Sequence, residues 1–284
     1  MALNTRIATA FILIPIMLAG IYLLPVWAFA LFMGVIALLG GWEWASLSGL
    51  DHWFEKVFFS ALLTIFLLFI YLVYTLFEST LTPLLMMVAL GWCFGFAFVV
   101  LYPSATEVWA ARWRRVLMGL FILGSMWGGF VWVVAADPSR WLITVLLFMI
   151  WAADIGAYFI GMRLGKTKLA PAVSPGKSWE GAIGGTLVTI IAVFPLMLWN
   201  FDVQSWSLLD YILYVLFCVL VVAWSIIGDL VESMVKRERG FKDSGHLLPG
   251  HGGIMDRIDS MCAAAPVFVM IVLLWPPLQN VVAG

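Results

Sequence analysis

The chain has 284 residues, of which 64% are hydrophobic and 11% are charged, and its formal net charge is -1. This composition excludes a water-soluble globular protein, because folding could not keep so much apolar surface away from water. The small net charge says little about partners. We expect membrane lipids to surround the chain, and we expect no nucleic-acid partner.

Nine apolar stretches match a membrane-spanning helix, which needs about 20 apolar residues. They cover residues 7–24, 26–47, 57–76, 84–101, 116–136, 141–160, 182–199, 209–230 and 255–275. We therefore predict an all-α, polytopic integral membrane protein with about nine transmembrane helices, folded as a single domain over 1–284. Pro25 alone separates the first two stretches, so a re-entrant pair is an alternative there.

Lys and Arg are distributed unevenly over the two sides of this topology. With nine spans, fourteen of the fifteen fall on the side of the N-terminus, and Arg140 alone falls on the other side. Cytoplasmic loops of membrane proteins carry such an excess of positive charge. We therefore expect the N-terminus and the loops 163–181 and 235–254 to face the cytoplasm.

Three pairs of glycines, each spaced four residues apart, lie in or next to the predicted spans. The pairs are Gly91 and Gly95, Gly124 and Gly128, and Gly181 and Gly185. Small residues at this spacing let two helices approach closely. The pattern favours packing within one chain, and a homodimer interface is the alternative.

Asp154 and Glu43 are carboxylates inside predicted spans, where a charged side chain costs roughly 2.5 to 3.5 kcal/mol on insertion scales. Asp154 lies deep in the sixth span, with Tyr158 one turn later. We predict that Asp154 lines a substrate site, and a helix-packing hydrogen bond is its alternative role. Glu43 lies between Trp42 and Trp44, which also fits an interfacial position, so its role stays open.

The loop before the seventh span reads S-P-G-K-S-W-E-G at residues 174–181. Neither its G-K-S nor the earlier G-K-T is a P-loop, because Pro171 and Ile160 replace the glycine expected five residues before. We predict that Ser178 is the N-cap of the seventh span and that this helix end, together with Lys177, binds a substrate anion. Plain capping is the alternative for Ser178.

Residues 233–259 are unusually rich in charge, with five cations and four carboxylates. Asp229 and Asp256 lie at the inner ends of the two spans that flank this segment. Mg²⁺ takes oxygen ligands, usually from one or two carboxylates with water and substrate phosphate. We predict that Asp229 and Asp256 bind Mg²⁺, with a second cation as an open alternative. Asp243 and Asp259 are further candidate ligands.

The cations of the two loops match a substrate that carries phosphate groups. Lys236, Arg237, Lys242 and Arg257, together with Lys177, could neutralise phosphate groups of a substrate. A cluster that only faces anionic lipid head groups is the alternative. Lys242 and Arg257 could also serve to pair with Asp243 and Asp259. His251, between glycines, could donate to a phosphate oxygen, and a surface histidine without a ligand is the alternative.

The segment resembles the signature of the CDP-diacylglycerol synthase (phosphatidate cytidylyltransferase) family. That signature is S-x-[aliphatic]-K-R, four residues, K-D-x-[small], then a Pro and H-G-G-[aliphatic]-x-D-R-[aliphatic]-D. Its fixed positions are filled here by Ser233, Lys236, Arg237, Lys242, Asp243, Pro249, His251, Gly252, Gly253, Asp256, Arg257 and Asp259. The block 174–181 is also typical of the family.

The resemblance implies a reaction of CTP with phosphatidic acid that gives CDP-diacylglycerol and pyrophosphate. Residues 141–284 would then carry a cytoplasm-facing active site, and residues 1–140 would be mainly a scaffold. We assign catalytic roles to Asp229, Asp256, Lys236, Arg237 and Arg257. We assign substrate binding to Lys177, Ser178, Ser233, Lys242, His251, Gly252, Gly253 and Asp154.

Three other membrane functions are alternatives. A CTP-dependent prenol-lipid kinase would use the same nucleotide. An ion- or lipid-coupled transporter would also bury acids, although it would place them near the midplane of the membrane. A CDP-alcohol phosphotransferase is disfavoured, because its D-G-x-x-A-R signature is missing and no Asp-Gly dipeptide occurs in the chain.

Overall fold

The computed structural model describes residues 3–76, 78–247 and 252–283, and most of them are helical. The helices are α1 (Leu3–Leu23), α2 (Val26–Leu47), α3 (Trp53–Leu76), α4 (Glu78–Val100), α5 (Thr106–Trp109), α6 (Arg112–Ala136), α7 (Trp141–Leu164), α8 (Trp179–Asn200), α9 (Leu208–Glu238), α10 (Met255–Leu274) and α11 (Pro276–Ala283). A short antiparallel hairpin of β1 (Lys168–Ala170) and β2 (Ser174–Ser178) lies between α7 and α8.

Seven helices of the described residues are long and apolar enough to cross a membrane, namely α2, α3, α6, α7, α8, α9 and α10. In α1 and α4, the apolar segments within the described residues are Ile14–Leu23 and Leu84–Val100. The structure confirms a helical, polytopic membrane protein, and each of the nine predicted stretches falls on one long helix. The hairpin and the short helices α5 and α11 were not expected from the sequence.

Side chains close to the helix ends fix where several helices begin. The hydroxyl oxygen of Ser178 accepts the N–H of Gly181 at 3.1 Å, so Ser178 is the N-cap of α8, as predicted. Ser207 and Asp210 form a reciprocal capping box at the start of α9. These local contacts satisfy N–H groups that the first helical turn leaves without partners.

Helices α6 and α10 are the most buried of the seven spans and form the centre of the molecule. They approach closely because Gly129 of α6 lies against Ala265 of α10, where an added Cβ would be only 3.0 Å from the Ala265 Cβ. Helices α2, α4, α7 and α9 also contact α10. Its first turn contacts Glu43 of α2 and Lys236 of α9.

Helices α7 and α8 form a tightly packed pair. A Cβ added to Gly185 would lie 2.6 Å from the carbonyl oxygen of Ala153, and one added to Gly181 would lie 3.0 Å from that of Ala157. No side chain fits in this gap, so glycine is required. This predicted small-residue pair therefore packs two helices of the same chain together.

Helices α9 and α10 run antiparallel to each other. Lys236, near the end of α9, contacts Asp256 at the start of α10, whereas Gly228, two turns earlier, lies against the backbone of Asp259. With 31 residues, α9 is about 46 Å long, which exceeds the roughly 30 Å of a bilayer core. Its charged last turns therefore have room to extend beyond the apolar layer.

Candidate active site

A cavity of about 350 Å³ opens between α7, α8, α9 and the hairpin. We call it the polar cavity, because charged side chains line it beside apolar ones. Four predicted site residues line it, namely Asp154 of α7, Lys177 and Ser178 of β2, and Asp229 of α9. Gly181 and other small residues form part of the remaining wall, which leaves space for a ligand. The structure thus brings together residues that the sequence indicated separately.

Asp229 and Lys177 form an ion pair at this cavity. Lys177 Nζ lies 2.8 Å from Asp229 Oδ2, and the Ser233 hydroxyl donates to Asp229 Oδ1 at 3.1 Å. The two charged side chains are 27% and 30% exposed, so a ligand in the cavity can reach them. This pair joins the block 174–181 to the signature segment.

A second and more buried cluster surrounds Asp256. Lys236 Nζ lies 2.6 Å from Asp256 Oδ1 and also contacts the carboxylate of Glu232. The backbone N–H of Gly253 donates to Asp256 Oδ2 at 2.9 Å, and that of Ser244 donates to both carboxylate oxygens, at 3.2 and 3.0 Å. Asp256 therefore connects Lys236 to the loop between α9 and α10 at two positions, Ser244 and Gly253.

Asp259 lies between these two clusters. It follows Asp256 by one turn of α10, is 8% exposed, and accepts the N–H of Ser260 at 2.7 Å. It interacts electrostatically with Asp229 and with Lys236. Four carboxylates are thus arranged along the contact between α9 and α10, namely Asp229, Glu232, Asp256 and Asp259.

Four of the five predicted cations do not line the polar cavity, namely Lys236, Arg237, Lys242 and Arg257. Arg237 donates through Nε to the carbonyl oxygen of Val173 at 3.2 Å and through Nη1 to that of Phe241 at 3.4 Å. Its guanidinium therefore links the hairpin to the signature segment. Lys242 is exposed.

Three further signature residues, Asp243, Gly252 and Arg257, lie around the start of α10. Arg257 is exposed and interacts electrostatically with Asp154 of the polar cavity. Asp243 is exposed and close to Gly252, which has a φ of 81° that favours glycine. His251 lies outside the described residues.

Sequence reasoning assigned no role to Glu232 or Ser244, although Glu232 follows Asp229 by three residues and so shares its helix face. Glu232 is 1% exposed and precedes its partner Lys236 by four residues, a helical spacing that could have been read from the sequence. Ser244 donates its hydroxyl to Glu43, which is 201 positions away in the chain. No local pattern predicts a contact of that kind.

A second cavity, of about 540 Å³, lies next to the polar one, between α4, the hairpin, α8 and α9. Its wall is mainly apolar and includes Val99 and Ala223. Leu169, Ala182 and Ile226 line both cavities. A ligand with a charged head and an apolar tail would fit the two cavities together.

The carboxylates of the site fit a Mg²⁺ ion in their chemistry. A carboxylate has about four lone-pair positions. Asp229 accepts from two donors, whereas Asp256 already accepts four hydrogen bonds, from Lys236, Gly253 and twice from the N–H of Ser244. Within the described residues, no group of three or more His, Cys, Asp or Glu is arranged to hold a metal. Mg²⁺ commonly uses only one or two carboxylates and completes its shell with water and substrate phosphate. Asp229 has free acceptor positions for such an ion, whereas Asp256 would have to exchange one of its present donors for it.

Comparisons with known proteins agree with the signature. A model of the "Cytidylyltransferase family" matches residues 4–275. The chain is 44% identical over 273 residues to the phosphatidate cytidylyltransferase of Pseudomonas aeruginosa, which covers 96% of this chain and 97% of the relative. It is 38% identical over 287 residues to that of Haemophilus influenzae, covering 94% and 97%, and 34% identical over 278 residues to that of Brucella suis, covering 94% and 92%. The chain belongs to the cytidylyltransferase family.

Proposed function

We propose that the protein joins CTP and phosphatidic acid to form CDP-diacylglycerol with release of pyrophosphate. The names of its relatives and the complete signature support this reaction. The observation that carries the proposal is the polar cavity, where Asp154, Lys177, Ser178 and Asp229 converge next to an apolar cavity. The polar side suits phosphate groups, and the apolar side suits acyl chains.

In this reaction an oxygen of the lipid phosphate attacks the α-phosphorus of CTP. A new P–O bond forms, and the bond from the α-phosphorus to the bridging oxygen of the β-phosphate breaks, so that pyrophosphate leaves with that electron pair. A phosphate monoester is largely ionised at neutral pH, so no general base is needed. The protein has to hold two polyanions in line and stabilise the charge that develops on the leaving group.

The residues that line the polar cavity have matching roles. Lys177 neutralises phosphate oxygens, and its pairing with Asp229 holds the ammonium group at the cavity wall. The N-terminus of α8, which Ser178 caps, favours a bound anion. Arg257 contributes further positive charge close to Asp154.

We propose that Asp229 and Asp256 hold Mg²⁺, with Asp259 and Asp243 as further ligands and a second cation as an open alternative. The support is the acceptor positions that Asp229 leaves free and the interaction of Asp259 with both Asp229 and Lys236, the partner of Asp256. When bound, Mg²⁺ supplies positive charge to phosphate oxygens and to the leaving group. Lys236 keeps the carboxylate of Asp256 in place through its 2.6 Å contact.

We also propose nine membrane spans, with the N-terminus and the active site on the cytoplasmic side of a bacterial inner membrane. In this topology α1 and α4 span the membrane as well, and the strong excess of Lys and Arg on one side supports it. Two further points stay predictions: that the protein forms a homodimer, and that it has no nucleic-acid partner. The molecular mass of the purified protein in detergent, measured by light scattering, tests the homodimer.

The reaction is tested with purified protein in detergent, CTP, phosphatidic acid and Mg²⁺, each withheld in turn. We expect pyrophosphate release and CDP-lipid only when all three are present. Label from the α-phosphate of CTP should enter the lipid, and label from the γ-phosphate should not. Entry of the γ-label would instead identify a CTP-dependent lipid kinase and contradict the proposal.

A further inference from the structure

Glu43 is a buried carboxylate of α2 that contacts the loop between α9 and α10 and also the first residue of α10. It is 3% exposed, and its Oε2 accepts the backbone N–H of Met255 at 2.8 Å and the hydroxyl of Ser244 at 3.1 Å. Helix α10 begins at Met255, and its N-cap residue Ile254 provides no side-chain cap. Glu43 therefore supplies, from another helix, the acceptor that an N-cap would provide.

The loop is shaped to fit this carboxylate. A Cβ added to either Gly245 or Gly253 would collide with the side-chain oxygens of Glu43. Both glycines thus leave space for an acidic side chain that comes from a distant part of the chain. Gly253 also donates its N–H to Asp256, so the same short segment contacts both acids.

We propose that Glu43 is a positioning residue that holds Asp256 in place through Ser244 and Met255. Ser244 donates its hydroxyl to Glu43 and its backbone N–H to Asp256, and its hydroxyl oxygen accepts the N–H of Asp256 at 3.3 Å. Met255 directly precedes Asp256 in the chain. If the Glu43 carboxylate is removed, two buried donors lose their acceptor, which is unfavourable, and the loop loses its contact with α2.

This role differs from that of the residues in the polar cavity. Glu43 does not line that cavity and is almost fully buried, so it acts on the reaction through Asp256. The inference rests on the proposed function of Asp256, and its test therefore includes a measurement that requires no substrate.

The test compares Glu43→Ala and Glu43→Gln with Met33→Ala as a matched control. Met33 is 1% exposed on the same helix and lies about 15 Å from Glu43 along its axis. We expect Glu43→Ala to lower kcat by about 10- to 100-fold, with a much smaller change in the KM for CTP. We also expect faster tryptic cleavage after Lys242, which is exposed in the loop.

Glu43→Gln keeps an oxygen acceptor and should retain most of the activity and the protease protection. Met33→Ala should lower the melting temperature but leave kcat and cleavage after Lys242 close to wild type. Wild-type behaviour of Glu43→Ala would overturn the proposal. The proposal would also be overturned if Glu43→Gln lowered kcat as much as Glu43→Ala does, or if Met33→Ala were cleaved after Lys242 as fast as Glu43→Ala. If the wild-type protein lacked the proposed activity, the cleavage rates alone would still decide whether Glu43 orders the loop.

Discussion

Lys177 Nζ lies 2.8 Å from Asp229 Oδ2, although the two residues belong to β2 and α9. Both side chains line the polar cavity. Their contact joins the block 174–181 to the segment that carries the family signature. The two sequence blocks therefore form one site, and changes in either should affect the same reaction.

Replacing Lys177 with Met should lower the rate of CDP-lipid formation by about 100- to 1,000-fold, because a charged donor to phosphate oxygens is removed from a preorganised site. Lys168→Met is the matched control, since Lys168 is an exposed lysine of the same hairpin that does not line the cavity. Pyrophosphate release by the purified variants measures the effect. Equal rates for the two variants would contradict the role of Lys177.

Removing the charge of Lys236 should destabilise the protein, because Glu232 and Asp256 would lose a buried cationic partner. We expect Lys236→Met to lower the free energy of unfolding by about 3 to 5 kcal/mol. The double variant Lys236→Met/Glu232→Gln should lose less free energy of unfolding than the sum of the losses in the two single variants, because both substitutions remove the same contact. Thermal melting in detergent measures this coupling, and strict additivity would argue against it.

Asp229→Asn and Asp256→Asn should each abolish Mg²⁺-dependent CDP-lipid formation while the protein still inserts into the membrane. A neutral amide is a much weaker ligand for Mg²⁺ than a carboxylate, which the ion prefers. Binding of Mn²⁺ in place of Mg²⁺, followed by electron paramagnetic resonance, provides a readout that does not depend on turnover. Asp202→Asn is the control, because this exposed acid lies between α8 and α9 outside the polar cavity. Wild-type Mn²⁺ affinity in both site variants would refute the metal assignment.

Filling the apolar cavity should weaken the binding of long acyl chains. Ala223 lines this cavity, so we expect Ala223→Phe to raise the KM for dioleoyl phosphatidic acid by about 5- to 10-fold. The KM for a dihexanoyl substrate, whose chains are short, should change little. Val215→Phe on the exposed side of the same helix serves as the control. An equal effect on both lipids would place the acyl chains elsewhere.

Features that depend on neighbouring residues could be predicted from the sequence. The N-cap at Ser178 involves a partner three residues away, and the apolar stretches directly reflect the thickness of a bilayer. The hairpin was missed because its strands contain Pro and Gly and no regular apolar alternation. The contact between Glu43 and Ser244 was missed because it depends on how α2 packs against the loop, which no spacing reveals.

Leu169, Ala182 and Ile226 each line both cavities, so at these positions a single side chain separates the polar cavity from the apolar one. A phospholipid substrate can therefore present its head group to the nucleotide while its tails stay in surroundings like those of the bilayer. No extraction of the lipid into water is needed, and the low aqueous solubility of a diacyl lipid places no limit on the encounter of the two substrates.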